Sequence, residues 1–320
     1  MRVFKPEVFQ GVNKKKNYFE GWYYKLISQD KKHVIAFISG VSFDKTGNNR
    51  HAFIQFFNAV TGQTEYFRFR TEDFQAEKDC LDVRIGPNHF SKVKLKVDLK
   101  SAHMSIQGDL QFSDIISYPS TWLEPGIMGP FSYFPLMECY HGIVNIHQTI
   151  SGVLTINGET IDFDRGYGYI EKDWGKSFPK AWVWMQSNHF GQEDISFMFS
   201  VATIPFLIRS FTGFLCFFRR GHQFYRFATY SGAKVIYYRK HGIYLDVVIR
   251  DRKYELRFRA VNHQTGSLLA PVDGEMGRTI EESITAQIYV KLYDRRGTLL
   301  FAGVGRNAGL ELINFQEIWR

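Results

Sequence analysis

The sequence predicts an all-β protein built as two antiparallel halves. Three observations carry this: a strand-favouring composition, short segments of alternating hydrophobicity, and turn residues spaced between them. Of 320 residues 44% are hydrophobic, with 30 Phe and 17 Tyr, and such side chains, with Val, Ile and Thr, suit a pleated surface. Val93–Leu99 alternates strictly, giving one wet face and one core face, the pattern of an antiparallel sheet. No stretch carries a sustained helical period.

Tyr18–Ile27 reads as the opening strand. His33–Ser39 and His51–Phe57 pair through the turn Asp44–Asn49, where Gly47 and Asn48 supply left-handed positions. Thr61-Gly62 turns into Tyr66–Phe69, and further strands fall at Cys80–Ile85, Phe90–Leu99 and Met104–Phe112. From Ser113 to Tyr140 the period disappears, and four prolines with Gly126 and Gly129 punctuate an aromatic-rich loop. A loop that long is either a lid over a site or a packed crossover closing a barrel end. Strand texture returns over His141–Ile156, and Asn157-Gly158 is a hairpin turn into Glu159–Phe163. Gly175 and Pro179 then break the chain, which divides it into domains 1–178 and 179–320. Strands punctuated by Gly191, Gly221, Gly232 and Gly242 run to Val261, and Asn262–Glu282 reads as a second loop. A last hairpin joins Ile284–Tyr293 to Leu299–Val304 around Arg296-Gly297.

Composition narrows the function. Cys80, Cys139 and Cys216 are odd in number and far apart, which argues against a disulfide framework or structural zinc and for a reducing compartment. The N-terminal stretch has no apolar signal run, and Ile195–Phe218 is interrupted by Pro205 and Arg209. These features place the protein in the cytoplasm. The net charge of +8 is spread over short clusters such as Lys14–Lys16, Arg219-Arg220 and Arg250–Lys253. Separated clusters fit a solvated surface, or peripheral contact with an anionic membrane, better than a nucleic-acid stripe.

The chemistry concentrates in Asp164–Phe190. If Tyr167–Trp174 is extended, Tyr167, Tyr169, Glu171 and Asp173 share a face. If Ala181–Phe190 is also extended, Trp182, Trp184, Gln186 and Asn188 share another. Carboxylates among aromatics are candidates for acid–base work, with a structural salt bridge to Lys172, Lys176 or Arg165 as the competing role. Trp22 and Trp174 read first as structure, although Trp22 and Tyr24 also join the candidate substrate-binding set. Gly303–Ala308 fits the weak dinucleotide pattern but lies too near the C-terminus for a βαβ unit. His141 and His147 stand six apart with no third ligand apparent, and each reads, like His189, as a satisfied or surface histidine. No metal and no cofactor are expected.

Two segments and this stretch resemble one family. Tyr169-x-Glu171-Lys172-Asp173-Trp174-Gly175, followed by Phe178-Pro179-x-x-Trp182-x-Trp184-x-Gln186-x-Asn188, resembles the tocopherol cyclase signature. Tyr18–Lys25 is similar to the family's F-E-G-W-Y-x-K opening, Met128-Gly129-Pro130 to its M-G-P segment, and Gly309-Leu310-Glu311 is a fainter echo. The resemblance implies tandem lipocalin-like barrels or sandwiches, related in motif to carotenoid 1,2-hydratases, whose acidic residue and tyrosine fall at Glu171 and Tyr169. It also implies a hydrophobic small-molecule partner, a prenylated hydroquinone or other isoprenoid, cyclised when an acid protonates its alkene and the phenol captures the cation. Glu171 would be the proton donor, Asp173 its electrostatic partner or the base, and Tyr169 a relay. Trp182 and Trp184 would face the cation, and Gln186 and Asn188 would orient the head group. The family pattern has Asn where this chain has Asp173. A non-catalytic isoprenoid carrier and a carbohydrate-active protein remain open alternatives.

Overall fold

The computed structural model describes residues 4–135, 137–191, 194–206, 209–262 and 265–319. Met1–Val3 of the N-terminal stretch, Leu136 of the long loop, and His263 and Gln264 of the second loop lie outside the described residues. The strands assemble into two antiparallel sheets of 12 and 10 strands, and one of the sheets closes almost into a barrel. The all-β reading therefore holds. Two compact units result, Met1–Phe178 with Gly266–Ile280, and Pro179–Thr265 with Glu281–Arg320. The chain passes from the first unit to the second after Phe178, and Gly266–Ile280 groups with the first.

In the first unit the opening strand Tyr18–Ile27 lies between Val34–Phe43 and the signature strand Gly166–Gly175. On its other side the signature strand pairs with Cys139–Ile156, which in turn pairs with Ser105–Ser117. One face of these strands packs the core. It takes Trp22, Tyr24 and Leu26 from the opening strand, Ile170 from the signature strand, and Phe37, Phe56 and Phe90 from their neighbours. In the second unit Val183 and Met185 of Trp182–Ser187 enter a separate core with Phe197, Phe199 and Phe258.

Two loops come out shorter than their sequences suggest. Strands reach in from both sides of Ser113–Tyr140, to Ser117 and from Cys139, with one short 3-10 turn at Gly129–Tyr133 between them. Ile127 and Met128 of this segment are buried. Asn262–Glu282 is mostly strand, Gly266–Val272 and the start of Glu275–Asp294. The overlooked signal is Asp273-Gly274, with φ of 49° and 83°, the left-handed pair of a tight hairpin. Asn157-Gly158, at 50° and 86°, turns as expected.

A buried ion pair locks the core face. Glu20 and Lys172 are both fully enclosed, 2.5 Å apart. Glu20 also accepts the backbone N–H groups of Gln10 and Gly11 and the Tyr18 hydroxyl. Lys172 donates to the carbonyls of Pro6 and Val8, and its ammonium sits 4.8 Å and 4.7 Å from the rings of Trp22 and Trp174. The Trp22 indole N–H reaches the Glu7 carbonyl. Residues 6–11 are thus pinned against the core by both members of the pair. Removing one partner of such a pair costs about 3–5 kcal/mol because the other stays buried and charged. Lys172→Met is expected to lower unfolding stability in urea by that amount, and Glu20→Gln added to it should restore part of the loss. Strictly additive losses would show that the ion pair is not the lock.

Candidate active site

The signature strand alternates, so the residues between Ile170, Lys172 and Trp174 point away from the core. Pairing brings partners to them. Glu171 stands opposite Tyr23 on one side and Ile143 on the other, while Asp173 stands between Gly21 and His141. The bulges in Cys139–Ile156 begin only after Ile143, so His141 keeps regular register with Asp173. Gly21 and the neighbouring Gly40 leave a bare patch of backbone beside Asp173. Any Cβ on Gly40 would meet the Glu20 carbonyl at 2.2 Å and the Phe53 ring at 2.9 Å.

The result is a buried polar cluster. The Tyr169 hydroxyl donates to Glu171 Oε2 at 2.6 Å. His141 Nδ1 lies 2.9 Å from Asp173 Oδ1, and its Nε2 lies 3.7 Å from Glu171 Oε2. Tyr169 is fully enclosed and Glu171 is 5% exposed. Burial alone would lower the His141 pKa, but attraction to Asp173 and then to Glu171, with the Asp173 hydrogen bond, pushes it up to about 9. The imidazole is therefore cationic at neutral pH. Burial, reinforced by Glu171, holds the Tyr169 phenol well above its ordinary range, so it stays a donor. One ligand atom from each of His141, Glu171 and Asp173 lies within 4.8 Å of the others, so these three residues could hold a cation. The partners that sequence spacing did not reveal for His141 are Glu171 and Asp173 of the neighbouring strand, and His147 is not among them.

The other expected residues divide between the two units. Trp22 and Tyr24 are fully buried in the core of the first unit, where the Tyr24 hydroxyl donates to the Ser91 carbonyl. Lys172 does not neutralise Glu171 or Asp173, because alternation turns it to Glu20 on the opposite face. Trp182, Trp184 and Gln186 share the non-core face of Trp182–Ser187 in the second unit, and Asn188 lies beyond the end of that strand. There the Trp182 indole N–H donates to Glu311, and the Trp184 ring lies where a Cβ on Gly309 would be, at 2.4 Å. The Gly309-Leu310-Glu311 segment accordingly serves these tryptophans. His147 packs against Tyr167, 5.7 Å between ring centres, outside the cluster. A cavity of about 340 Å³ in the first unit, lined by residues such as Tyr66, Arg68, Asp98 and Ser101, includes none of the cluster.

The tocopherol cyclase-like family pattern matches residues 100–313, more than half of the chain and inclusive of His141 and the whole signature strand. The chain belongs to that family. It is 34% identical over 62 residues to the chloroplastic tocopherol cyclase of Zea mays and to its counterpart in Oryza sativa subsp. japonica. Those matches span 19% of this chain and only 13% of either relative. Among solved structures, a protein assigned as AttH from Nitrosomonas europaea aligns with TM-score 0.53 at 14% identity, over 92% of each chain. CghA aligns with TM-score 0.54 at 11% identity, over 92% of this chain and 88% of its own. These likenesses show a shared lipocalin-like fold.

The charge state of His141 sets a pH dependence. Folding raises its pKa from 6.5 to about 9. The stability this contributes is complete below about pH 6.5 and is lost as pH rises through about 9. Thermal melts of the wild type should therefore fall over that window more steeply than those of His141→Asn. An imidazole that titrates near 6.5 by NMR in the folded protein would remove the ion triad.

Proposed function

We propose that the protein adds an oxygen nucleophile across an isoprenoid double bond by acid catalysis, as a cyclase of a prenylated hydroquinone. The observation that carries this is a largely enclosed histidine between two carboxylates, one of which also holds a buried phenol. With His141 charged and both carboxylates ionised, the cluster has one excess negative charge in a site with little water. A second proton, on Glu171, neutralises it. Glu171 then becomes a carboxylic acid beside a cation, a setting that strengthens it as a donor.

In the proposed sequence the Glu171 O–H bond breaks and its proton forms a C–H bond at the less substituted alkene carbon, leaving a tertiary cation. The phenol oxygen closes the C–O bond with a lone pair, and its proton passes to Asp173. His141 faces Asp173 with one ring nitrogen and Glu171 with the other. The imidazolium carries both ring protons, so it returns the one on Nε2 to Glu171; Asp173 then loses its proton to solvent and the ring regains one from solvent, which resets the site. Tyr169 holds the Glu171 oxygen in place. Family membership favours this reading over a carbohydrate substrate. No helix among the described residues is long and apolar enough to cross a membrane.

Glu171→Gln keeps the side chain's shape and most of its hydrogen bonding but has no acidic proton. Prenylquinol binding, dominated by burial of the chain, should change little. Conversion to the chromanol should slow by about 10²–10⁴-fold, the usual worth of a general acid. Full turnover by the variant would end the assignment of Glu171. Tight binding with no conversion by the wild type would make the protein a carrier.

A further inference from the structure

A surface of the second unit, remote in sequence from the catalytic strand, carries a different signal. Lys234–His241 forms the edge of its sheet, followed in order by Tyr244–Arg250, Tyr254–Val261 and Glu275–Asp294. Their inward residues, Leu245, Val247, Ile249, Phe258 and Val290 among them, fill the core. In register, the outward face collects six cations: Lys234, Arg239, Arg250, Arg257, Arg259 and Lys291. Against them stand two carboxylates, Asp246 and Glu255. Glu255 is shared by Arg250 and Arg257, and Asp246 is held by Arg259. Lys234, Arg239 and Lys291 remain exposed and make no salt bridge among the described residues.

Charge on an edge strand ordinarily serves to block pairing with other chains. That purpose does not account for the apolar groups exposed beside it. Ile236, at the edge-strand bulge, is 44% exposed, and Ile243, in the hairpin turn, is 53% exposed. Tyr237 and Tyr289 are 46% and 44% exposed. Aliphatic tips ringed by tyrosines and unpaired cations match the layers of a lipid interface, with acyl chains beneath and phosphates above. A nucleic acid is a poorer fit, because two of the rings on which bases would stack are already covered. The Tyr244 ring is flanked by His241 at 5.4 Å and Arg259 at 5.6 Å, and Tyr293 is covered by Arg257 at 4.7 Å.

We propose that this face docks on an anionic lipid bilayer, with Ile236 and Ile243 entering the interface and Lys234, Arg239 and Lys291 meeting lipid phosphates. The test uses the full chain and vesicles of phosphatidylcholine, with or without phosphatidylserine, in a sedimentation assay at low and high salt. Binding should be at least about tenfold tighter to the mixed vesicles at low salt and weaken as salt rises. Arg239→Glu with Lys291→Glu should weaken it by at least about tenfold, and Ile243→Ser should weaken it without changing the melting temperature. Equal binding to both vesicle types, or variants that bind like wild type, would overturn the proposal. So would displacement of the protein from vesicles by single-stranded RNA. Turnover of detergent-dispersed prenylquinol by the charge variant separates this from the proposed chemistry: it should be retained. Vesicle binding without turnover in the wild type would sink the chemistry and leave the docking face standing.

Discussion

The Glu20–Lys172 ion pair is the interaction on which the rest of the first unit depends. Two charges with no solvent exposure lose their hydration, and that loss can exceed their mutual attraction. Here two backbone amides, a tyrosine hydroxyl, two carbonyls and two indole rings offset part of it, and burial still holds the Lys172 pKa below its ordinary value. Such a pair does more for specificity than for stability. A one-residue slip between the opening and signature strands would turn Lys172 outward and drive Glu171 and Asp173 into the core among Trp22, Tyr24 and Ile170. The pair makes that slip prohibitive. It also fixes the N-terminal residues through the Pro6 and Val8 carbonyls.

Because the strand alternates, what is settled on one face settles the other. The signature is two interleaved sets of residues. Lys172 and Trp174 secure the fold, while Tyr169, Glu171 and Asp173 assemble the site. The face away from the core is buried too, since Tyr23, Lys25 and Tyr169 have little or no exposure. Polar groups there cannot rely on water and must satisfy one another. His141 does this at Nδ1, 2.9 Å from Asp173, while its Nε2 has no hydrogen-bond partner and lies 3.7 Å from Glu171.

Much of this was legible in the sequence, and the failures share one cause. Alternation within one strand is local information, and it placed Tyr169, Glu171 and Asp173 together. The turn at Asn157-Gly158 was equally local. Partnership across strands is not local. Nothing in the spacing of His141 and His147 shows that His141 will lie opposite Asp173, because that depends on which strand inserts beside the signature and on bulges starting only after Ile143. For the same reason Lys172, next to both acids in sequence, looked like their counter-ion although it faces away from them. Asp273-Gly274 differs: its turn chemistry was available and was masked by the polar, glycine-rich residues around it.

The departure from the family pattern at Asp173 can be understood through His141. An asparagine at this position would carry no charge, and the imidazole beside it would lose the first attraction that raises its pKa. A neutral histidine with asparagine has the same net charge as an imidazolium with aspartate. Exchanging one pair for the other therefore leaves the charge around Glu171 unchanged in sum. What changes is its distribution. With Asp173 a proton is held on the ring, whose other nitrogen faces Glu171, and the proposed chemistry gains a second carboxylate as its base. With asparagine the site keeps its electrostatic total but loses that acceptor. In the proposed chemistry the aspartate therefore adds a base beside the acid without changing the net charge around it.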